Sequence, residues 1–444
     1  MELDDPVVAD EKLSDSELLE AWPVLSTEDR VEGFEILSRE QAERIFDQLS
    51  ARDQAELLLA LPLGERRIWM RYLSPDDAAD LIQEAAQQQR EQLLATLDDA
   101  ARREILALLA YKEDEAGGLM NPRYARLRPE MTVDQALSYL RRQSRQQTEN
   151  IYYAYVLDAD QKLVGVVSLR ELVSSPPGRT VRELMKPDVV RVNEQMDQEA
   201  VSNVFAANDL VMLPVVDDQG RMKGVVTADD IVDVVREEAT EDIQKMGGTA
   251  ALDAPYLQVA PFEMLRKRGV WLALLLLAEF FTVAAMHQSQ DKLQAVLVLA
   301  IFIPLIIASG GNCGSQAATL VVRAMALGEL RLRDWWRVAR RELAMGLTLG
   351  STLAAIAFAM VYVWHALSTE LGQHFLLIGA VVAASIVAVS AWGTLLGSML
   401  PFALRSFGLD PASASTPLVA TILDGTGMVI YFAVAGLLLR GTLL

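Results

Sequence analysis

One carboxylate lies near the middle of an apolar run that is long enough to cross a membrane. The run is TPLVATILDGTGMVIYF, residues 416–432, and the carboxylate belongs to Asp424. An ionised aspartate at bilayer depth costs at least ~2.5 kcal/mol, so it normally faces a water-filled path or a partner. Asp424 is therefore predicted to face such a path or partner.

Asp410 and two residues that follow it extend this prediction. Asp410 lies four helical turns, ~21 Å, before Asp424 on nearly the same helix face. Pro417 removes a backbone hydrogen bond between them, and Ala420 lies one turn before Asp424. We expect a carbonyl oxygen at Ala420 to face the same path as the two carboxylates.

An earlier apolar segment, FIPLIIASGGNCGSQAATLVVRA, carries small and polar residues in its middle. Gly310, Gly311 and Asn312 indicate either a locally opened helix with exposed carbonyl oxygens, or close packing of small residues against another helix. The sequence leaves both alternatives open, and both can hold together.

The predicted ligands are carboxylate, carbonyl and amide oxygens, without histidine or cysteine. Oxygen sites of this kind favour hard ions such as Mg²⁺, Ca²⁺ and Mn²⁺. Mg²⁺ gives up its water reluctantly and is often held through water by one or two carboxylates. Two copies of the chain about an axis would present Asp424 twice to a central path. The residues alone thus indicate a hard divalent cation and favour a dimer.

Five apolar segments of membrane length position these residues. They span about 269–288, 293–324, 343–366, 375–400 and 413–439. The loops on one side are basic, whereas the opposite loops carry Lys292 and no basic residue near Glu370. The positive-inside rule then places the N-terminus in the cytoplasm and the C-terminus in the periplasm. The basic residues are Arg266, Lys267, Arg268, Arg331, Arg333, Arg337, Arg340, Arg341 and Arg405.

The part of the chain before the membrane segments is strongly acidic. Residues 1–254 carry 28 Lys and Arg against 51 Asp and Glu. This balance argues against a nucleic-acid partner, and it fits either plain solubility or a surface that collects cations. The start, MELDDPVVADEKLSDSE, lacks the features of a signal peptide. One cysteine, Cys313, and three histidines argue against disulfides and zinc.

A twelve-residue rhythm of leucine followed by a helix-capping residue marks the first region. Each Ser or Asp can cap a short helix, and acidic residues follow in the first turn. Short helices of this kind bury a core only by stacking on their neighbours. We predict a helical superhelix within residues 11–118. The pairs are Leu13-Ser14, Leu25-Ser26, Leu37-Ser38, Leu49-Ser50, Leu61-Pro62, Leu73-Ser74 and Leu97-Asp98.

A second, longer repeat resembles a tandem pair of CBS modules, residues 119–180 and 181–240. The stretch MNPRYARLRPEMTVDQALSYL followed by IYYAYVLDADQKLVGVVSLREL is echoed by MKPDVVRVNEQMDQEAVSNVF followed by LVMLPVVDDQGRMKGVVTADDI. Each copy ends in a hydroxyl and a carboxylate three residues apart. This spacing suits either a helix cap alone or contact with a nucleotide ribose.

A charged connector, TADDIVDVVREEATEDIQKM, leads from the second module towards the membrane. At helical spacing Asp230, Asp233, Glu237 and Glu241 form one stripe, and two more acids lie beside it. Clustered carboxylates repel one another unless a cation lies among them, although a solvated face is the plainer alternative. We predict a connecting helix over 241–262 and a transmembrane domain over 263–444.

These parts in this order, with GGNCGSQAATLVVRA, LDPASASTPLVAT and ILDGTGMVIYF, look like the MgtE family of magnesium channels over essentially the whole chain. The resemblance implies a homodimer in the bacterial inner membrane. It also implies that Asp424 holds hydrated Mg²⁺ with backbone groups at Ala420 and the Gly310-Gly311 bend, beside Asn312, with Asp410 nearer the cytoplasm.

The resemblance further implies control by cytoplasmic Mg²⁺, which would bridge acidic residues and hold a plug helix shut. ATP binding carries over to Tyr153, Arg170 and Glu171, whereas Leu210 stands where a base-stacking aromatic residue is expected. Glu279, in the first segment, also departs from the family pattern. The implied control acids are Asp230, Asp233, Glu238, Glu241 and Asp242 of the plug, Asp197, Glu199 and Asp209 of the second module, and Asp76 and Asp80 of the N-domain.

The sequence thus predicts a multidomain membrane protein with a helical N-domain, a CBS pair of α/β fold, a plug helix and five transmembrane helices. One alternative is a secondary transporter in which Asp424 cycles a proton. Another is a nucleotide sensor that the membrane segments merely anchor. An enzyme is disfavoured, because no nucleophile with a paired base and no phosphate-binding loop emerges.

Overall fold

The computed structural model describes residues 15–143, 151–252, 254, 256–288, 298–368 and 373–440. Ser14, Lys292 and Glu370, which the sequence analysis used, lie outside the described residues. The chain divides into two compact units, 1–236 and 237–444, and each is described by itself.

Short capped helices form the first part of the N-terminal unit. The side chains of Ser26, Ser38, Ser50, Ser74 and Asp98 accept hydrogen bonds from backbone N–H groups two or three residues later, which confirms the predicted caps. The helices are α1 (Asp15–Ala21), α2 (Thr27–Glu35), α3 (Arg39–Phe46), α4 (Ala51–Ala60), α5 (Leu63–Tyr72), α6 (Pro75–Glu84), α7 (Gln87–Leu94) and α8 (Asp99–Leu108).

Alternate helices of this series pack on one another: α2 contacts α4, α4 contacts α6 and α6 contacts α8. Ile45, Phe46, Leu58 and Leu81 are fully buried between them. The same apolar core continues into the second α/β module through residues such as Val215. The N-domain and that module therefore share one core rather than two.

The two α/β modules repeat each other down to an irregularity in the sheet. In each copy the first strand pairs parallel with the second, the second pairs antiparallel with the third, and the register shifts one step before the end of the middle strand. The elements are α9 (Ala116–Leu119), β1 (Arg126–Leu127), α10 (Val133–Gln143), β2 (Tyr153–Leu157), β3 (Leu163–Ser168), α11 (Leu169–Ser174), α12 (Val181–Leu184), β4 (Val192–Asn193), α13 (Gln198–Ala207), β5 (Met212–Val216) and β6 (Met222–Thr227).

The acidic connector is one helix, α14 (Ala228–Met246), and the next helix begins at Pro261. The predicted connecting helix over 241–262 is therefore displaced towards the N-terminus. Gly248, whose φ of 76° suits glycine, follows the end of α14 and fits the usual helix terminator.

Within the described residues, five helical segments have the length and hydropathy to cross a membrane, as predicted. The first is divided into two helices at Glu279, although helical backbone hydrogen bonds continue on both sides, from Glu279 to Leu275 and from Val283 to Glu279. The helices are α15 (Pro261–Ala278), α16 (Phe280–Gln288), α17 (Val298–Ala326), α18 (Trp335–Leu367), α19 (Phe375–Ser406) and α20 (Thr416–Leu438).

Helix α19 lies at the centre of the membrane unit and packs on α17, α18 and α20. Its contact with α17 is a seam between backbones. A Cβ on Gly393 would collide with the carbonyl oxygen of Gly310, and one on Gly397 with that of Gly314. Side chains larger than hydrogen cannot be accommodated there, so these glycines set the helix separation.

Candidate cation sites

Asp424 lies in the third turn of the last membrane helix and is half-buried. Helix α20 begins with Ser415 as its cap, whose hydroxyl accepts the N–H of Leu418 at 3.3 Å, and Pro417 occupies the first turn. The expectation that Pro417 breaks a helical hydrogen bond is wrong, because the first turn of a helix has no such bond to lose. Ala420 lies one turn before Asp424, as predicted.

Asp410 does not share a helix with Asp424, which corrects the prediction that both lie on one helical face. It precedes a 3-10 turn, Pro411–Ser413, and accepts the N–H of Ala412 at 2.8 Å. The chain between the two acids bends at this turn before α20 begins. Asp410 is therefore free to belong to a different site from Asp424.

The stretch Gly310-Gly311-Asn312 lies within the unbroken helix α17, so the opened-helix alternative is not realised. The close-packing alternative is realised, since the carbonyl oxygen of Gly310 lies against Gly393. Leu423, beside Asp424, packs near Gly314 of the facing helix. The glycine stretch thus lies near the level of Asp424, and its role as a ligand stays a prediction.

Glu279 lies within hydrogen-bonding reach of Asp424, whereas the sequence analysis noted only that it departs from the family pattern. The two carboxyl groups come from different membrane helices, at the α15–α16 junction and on α20. Sequence reasoning marked Glu279 as out of place but had no spacing that could link residues 145 positions apart.

Lys245, near the end of α14, joins Asp410 to the acidic connector. Its ammonium group donates to Asp410 at 2.7 Å and lies 2.5 Å from Glu241. Burial would lower the pKa of Lys245, but the hydrogen bonds to Asp410 and Glu241 outweigh it and raise that pKa. Burial and the nearby charge of Asp410 raise the pKa of Asp242. Asp410 and Glu241 thus share one ammonium group, and Asp242 lies near enough for the charge of Asp410 to act on it.

A second acidic cluster lies within the N-terminal unit, where α6 meets the start of α14. Asp76 is only 6% exposed, and its pKa is raised well above the usual range by burial and by the charge of Asp230. Burial also raises the pKa of Asp230 to about 7, against the lowering effect of its hydrogen bonds from Thr227. The structure therefore brings together two acids that the sequence analysis assigned to opposite sides of a control site.

Asp77 is a member of this cluster that the sequence analysis missed. The Ser74 hydroxyl donates to both Asp76 and Asp77, and the latter bond measures 2.7 Å. Asp80, which was predicted instead, is exposed one turn further along α6. The adjacent pair Asp76-Asp77 in SPDDAAD could have indicated this, since the first turn of a short capped helix presents adjacent side chains to one partner.

The other predicted control acids have different surroundings, and of these Asp233 lies near enough to the cluster for its charge to raise the pKa of Asp77. Asp197 caps α13 by accepting the N–H of Glu199 at 3.0 Å, and Asp209 has a left-handed backbone with φ of 49°. Asp233 is exposed and lies 3.8 Å from Arg236. Glu238 lies on α14 beyond the end of the N-terminal unit.

The predicted nucleotide residues lie around the end of β3. Tyr153 is the cross-strand partner of Ser168, and Glu171 accepts both the N–H and the hydroxyl of Ser168, at 2.9 and 2.7 Å. These hydrogen bonds lower the pKa of Glu171. The capping alternative is thus realised, while Arg170 is exposed at the same edge.

Among the described residues, no three His, Cys, Asp or Glu side chains converge as a finished metal-binding group. The donors that lie near one another are carboxylates, among them the pairs Asp76 with Asp230 and Asp410 with Glu241. Such pairs suit an ion that keeps most of its water, as Mg²⁺ does, better than an ion that needs a dry cage.

Comparison with known families identifies the fold. The sequence matches MgtE, a divalent cation transporter family, over residues 303–434, the MgtE intracellular N domain over 13–114, and the CBS domain over 116–178 and 181–237. The magnesium transporter MgtE of Thermus thermophilus is 41% identical over 97% of this chain and 94% of its own length. The chain belongs to the MgtE family.

Other MgtE proteins are similar over much of the chain. The magnesium transporter MgtE of Enterococcus faecalis is 31% identical over 76% of this chain and 72% of its own length. A crystal structure of the cytosolic domain of the Mg²⁺ channel MgtE in complex with ATP is 41% identical, covers 50% of this chain and 91% of that one, and has a TM-score of 0.47.

Membership of the MgtE family confirms the predicted class of protein. The chain is a multi-pass membrane protein with a helical N-domain, a CBS pair and five transmembrane helices. It belongs to a family of transporters and not to a family of enzymes.

Proposed function

We propose that this chain forms a homodimeric, Mg²⁺-selective channel in the bacterial inner membrane, closed by cytoplasmic Mg²⁺. The observation that carries the proposal is its 41% identity, over 97% of its length, to a magnesium transporter. The N-terminus lies in the cytoplasm and the C-terminus in the periplasm, in keeping with the basic loops at Arg266–Arg268 and Arg331–Arg341.

Asp424 is the central ligand of the proposed pore. It is a half-buried carboxylate on a membrane helix, and a hydrated Mg²⁺ offsets the cost of its charge at that depth. Asp424 of each subunit faces the ion, and the backbone near Ala420 adds an oxygen ligand. Gly310, Gly311 and Asn312 line the same level of the path.

Closure depends on acids that repel one another until Mg²⁺ lies among them. Asp76 and Asp230 support this role, because burial and mutual repulsion make both of them costly to ionise without a cation. High cytoplasmic Mg²⁺ neutralises these acids and stabilises the closed state. At low Mg²⁺ the acids repel one another, and the closed state loses that stabilisation. The plug acids Asp233, Glu238, Glu241 and Asp242 and the sensor acids Asp80, Asp197, Glu199 and Asp209 take part in the same response.

ATP is a proposed regulator that binds at the first CBS module. Tyr153 and Arg170 lie beside the cap formed by Ser168 and Glu171, whose carboxylate also lies 3.6 Å from the ammonium group of Lys186. Leu210 provides apolar contact but no aromatic stacking. Equilibrium binding of ATP to the full-length protein, with Glu171→Gln as the comparison, tests this site.

Uptake by a strain that lacks its own magnesium transport tests the pore. Wild-type protein should restore growth at low Mg²⁺, and Asp424→Ala should abolish it, because the pore loses its charged ligand. Asp134→Ala, which removes an exposed acid on α10, is the matched control and should grow like wild type. Normal uptake by Asp424→Ala would leave the membrane helices as an anchor only.

Single-channel recording separates a channel from a carrier. Under a Mg²⁺ gradient at fixed pH, a channel gives discrete conductance steps whose ion flux exceeds carrier turnover. A flux that instead requires a proton gradient would establish the secondary-transporter alternative.

A further inference from the structure

Glu279 is the feature of the membrane unit that the proposed pore leaves unexplained. It lies in a membrane-spanning segment whose neighbours Leu276, Leu277 and Phe280 are exposed apolar side chains. A carboxylate in that setting is costly unless it faces a partner or a water-filled path.

The side chain of Glu279 faces inward. Leu275, Glu279, Thr282 and Ala285 recur at helical spacing, and each is buried or half-buried while the residues between them are exposed. This face packs on α20, which contacts both α15 and α16. The carboxyl group of Glu279 lies within hydrogen-bonding reach of Asp424 at this contact.

The backbone of α20 comes close to side chains of the first membrane segment where the two carboxyl groups meet. Gly425, the residue after Asp424, lies so close to the first membrane segment that a Cβ there would collide with the ring of Phe281 and lie 3.3 Å from the hydroxyl of Thr282. That Thr282 hydroxyl is buried and has no hydrogen-bond partner among the described residues. The local fold therefore presents two carboxyl groups and an unsatisfied hydroxyl at one place.

We propose that Glu279 is a second pore carboxylate, which shares a hydrated divalent cation with Asp424 and raises the affinity of the pore for it. This inference rests on the proposed function of Asp424. Two like charges in contact repel, and a divalent ion between them removes the repulsion and gains from both charges. A monovalent cation gains less, so the pair also favours divalent over monovalent ions.

Transport kinetics of charge-removing variants test the proposal. Glu279→Gln keeps the size of the side chain and should raise the apparent KM for Mg²⁺ about tenfold, which corresponds to 1.4 kcal/mol, with little change in maximal rate. Glu279→Asp should restore much of the affinity. Glu342→Gln, which removes another half-buried carboxylate from a membrane helix, should keep the wild-type KM.

A structural role for Glu279 predicts a different pattern. It would lower the amount of folded transporter, and hence the maximal rate, at an unchanged KM, and that result would overturn the proposal. If Glu279→Gln is not recovered from membranes, Glu279→Ala decides, because a wild-type KM in that charge-free variant would also overturn the proposal. The proposed function fails separately, through normal uptake by Asp424→Ala.

Discussion

Burial of carboxylates is the main electrostatic feature of the N-terminal unit at the scale of single residues. Asp76 is almost wholly buried and faces Asp230, whose pKa is raised to about 7. Each acid is more readily protonated in the folded chain than in the unfolded chain. Their contribution to stability is therefore complete below about pH 4 and is lost as the pH rises through 7.

We expect Mg²⁺-free full-length protein to unfold at a lower temperature at pH 8 than at pH 6. Mg²⁺ should reverse the loss at pH 8, because the cation replaces the protons that the acids have released. Asp76→Asn should raise the free energy of unfolding at pH 8 by ~1–3 kcal/mol and flatten the pH dependence. Thermal unfolding of the detergent-solubilised chain, with EDTA or with Mg²⁺, measures all three effects.

Asp134→Asn is the control for this experiment, because Asp134 is an exposed acid in the first turn of a comparable helix. It should leave the pH dependence unchanged. A wild-type pH dependence in Asp76→Asn would show that the Asp76–Asp230 pair does not set the electrostatic balance of this unit.

The sequence predicted single residues well where one local rule sufficed. The caps at Ser26, Ser38 and Asp98 follow from residue type and spacing, and all three are present. The contacts of Glu279 and Lys245 could not be predicted, because each joins segments far apart in sequence. Periodicity shows which face of a helix is polar, but it does not show which distant helix that face meets.

At the scale of elements, Lys245 connects two parts of the membrane unit in a way that the sequence analysis did not predict. It links the end of α14 to the turn before α20 through Glu241 and Asp410. Replacing Lys245 with Met should lower the cytoplasmic Mg²⁺ concentration that half-closes the channel several-fold. The physical reason is that Mg²⁺ then occupies the place of the ammonium group among the carboxylates.

Patch recordings with graded Mg²⁺ on the cytoplasmic face provide this measurement. The matched control is Lys112→Met, which removes a lysine paired with Glu115 at 2.9 Å on the surface of the N-terminal unit. Half-closure at the wild-type Mg²⁺ concentration in Lys245→Met would assign the lysine a purely structural role.

The seam between α17 and α19 gives a second prediction for the elements. Gly397→Ala should lower the free energy of unfolding by ~1–3 kcal/mol, because the new methyl group meets the carbonyl oxygen of Gly314. Gly311→Ala, on the facing helix α17, places its methyl group in open space and should retain wild-type stability. Equal thermal stability of the two variants in detergent would contradict the close approach described here.

The membrane helices were predictable from hydropathy, but their internal geometry was not. The apolar runs gave all five spans, because twenty or so apolar residues have few other folds available. Glycines in mid-segment fit an opened helix and a packed helix equally well. The contact of Gly310 with Gly393 decides between these two alternatives, and the position of Gly393 depends on the packing of a separate segment.

At the scale of the whole molecule, the proposed closure by cytoplasmic Mg²⁺ depends on all the acids of the connector together. Neutralising the connector with amide residues at Asp230, Asp233, Glu238, Glu241 and Asp242 should leave transport intact and weaken closure by cytoplasmic Mg²⁺ at least tenfold. The expectation follows because the repulsion that Mg²⁺ relieves is then already absent. Uptake into vesicles preloaded with Mg²⁺ gives the measurement, and unchanged inhibition would refute the gating proposal while sparing the pore.

The backbone seam between α17 and α19 also restricts how the channel can open. Side-chain interfaces change state by exchanging rotamers, but Gly310, Gly314, Gly393 and Gly397 have no rotamers to exchange. We therefore expect these two helices to keep the same position relative to each other when the proposed channel opens. The moving parts are the helices that contact their neighbours through side chains, among them α20 and the two-part helix α15–α16, so labels that report opening belong on those helices.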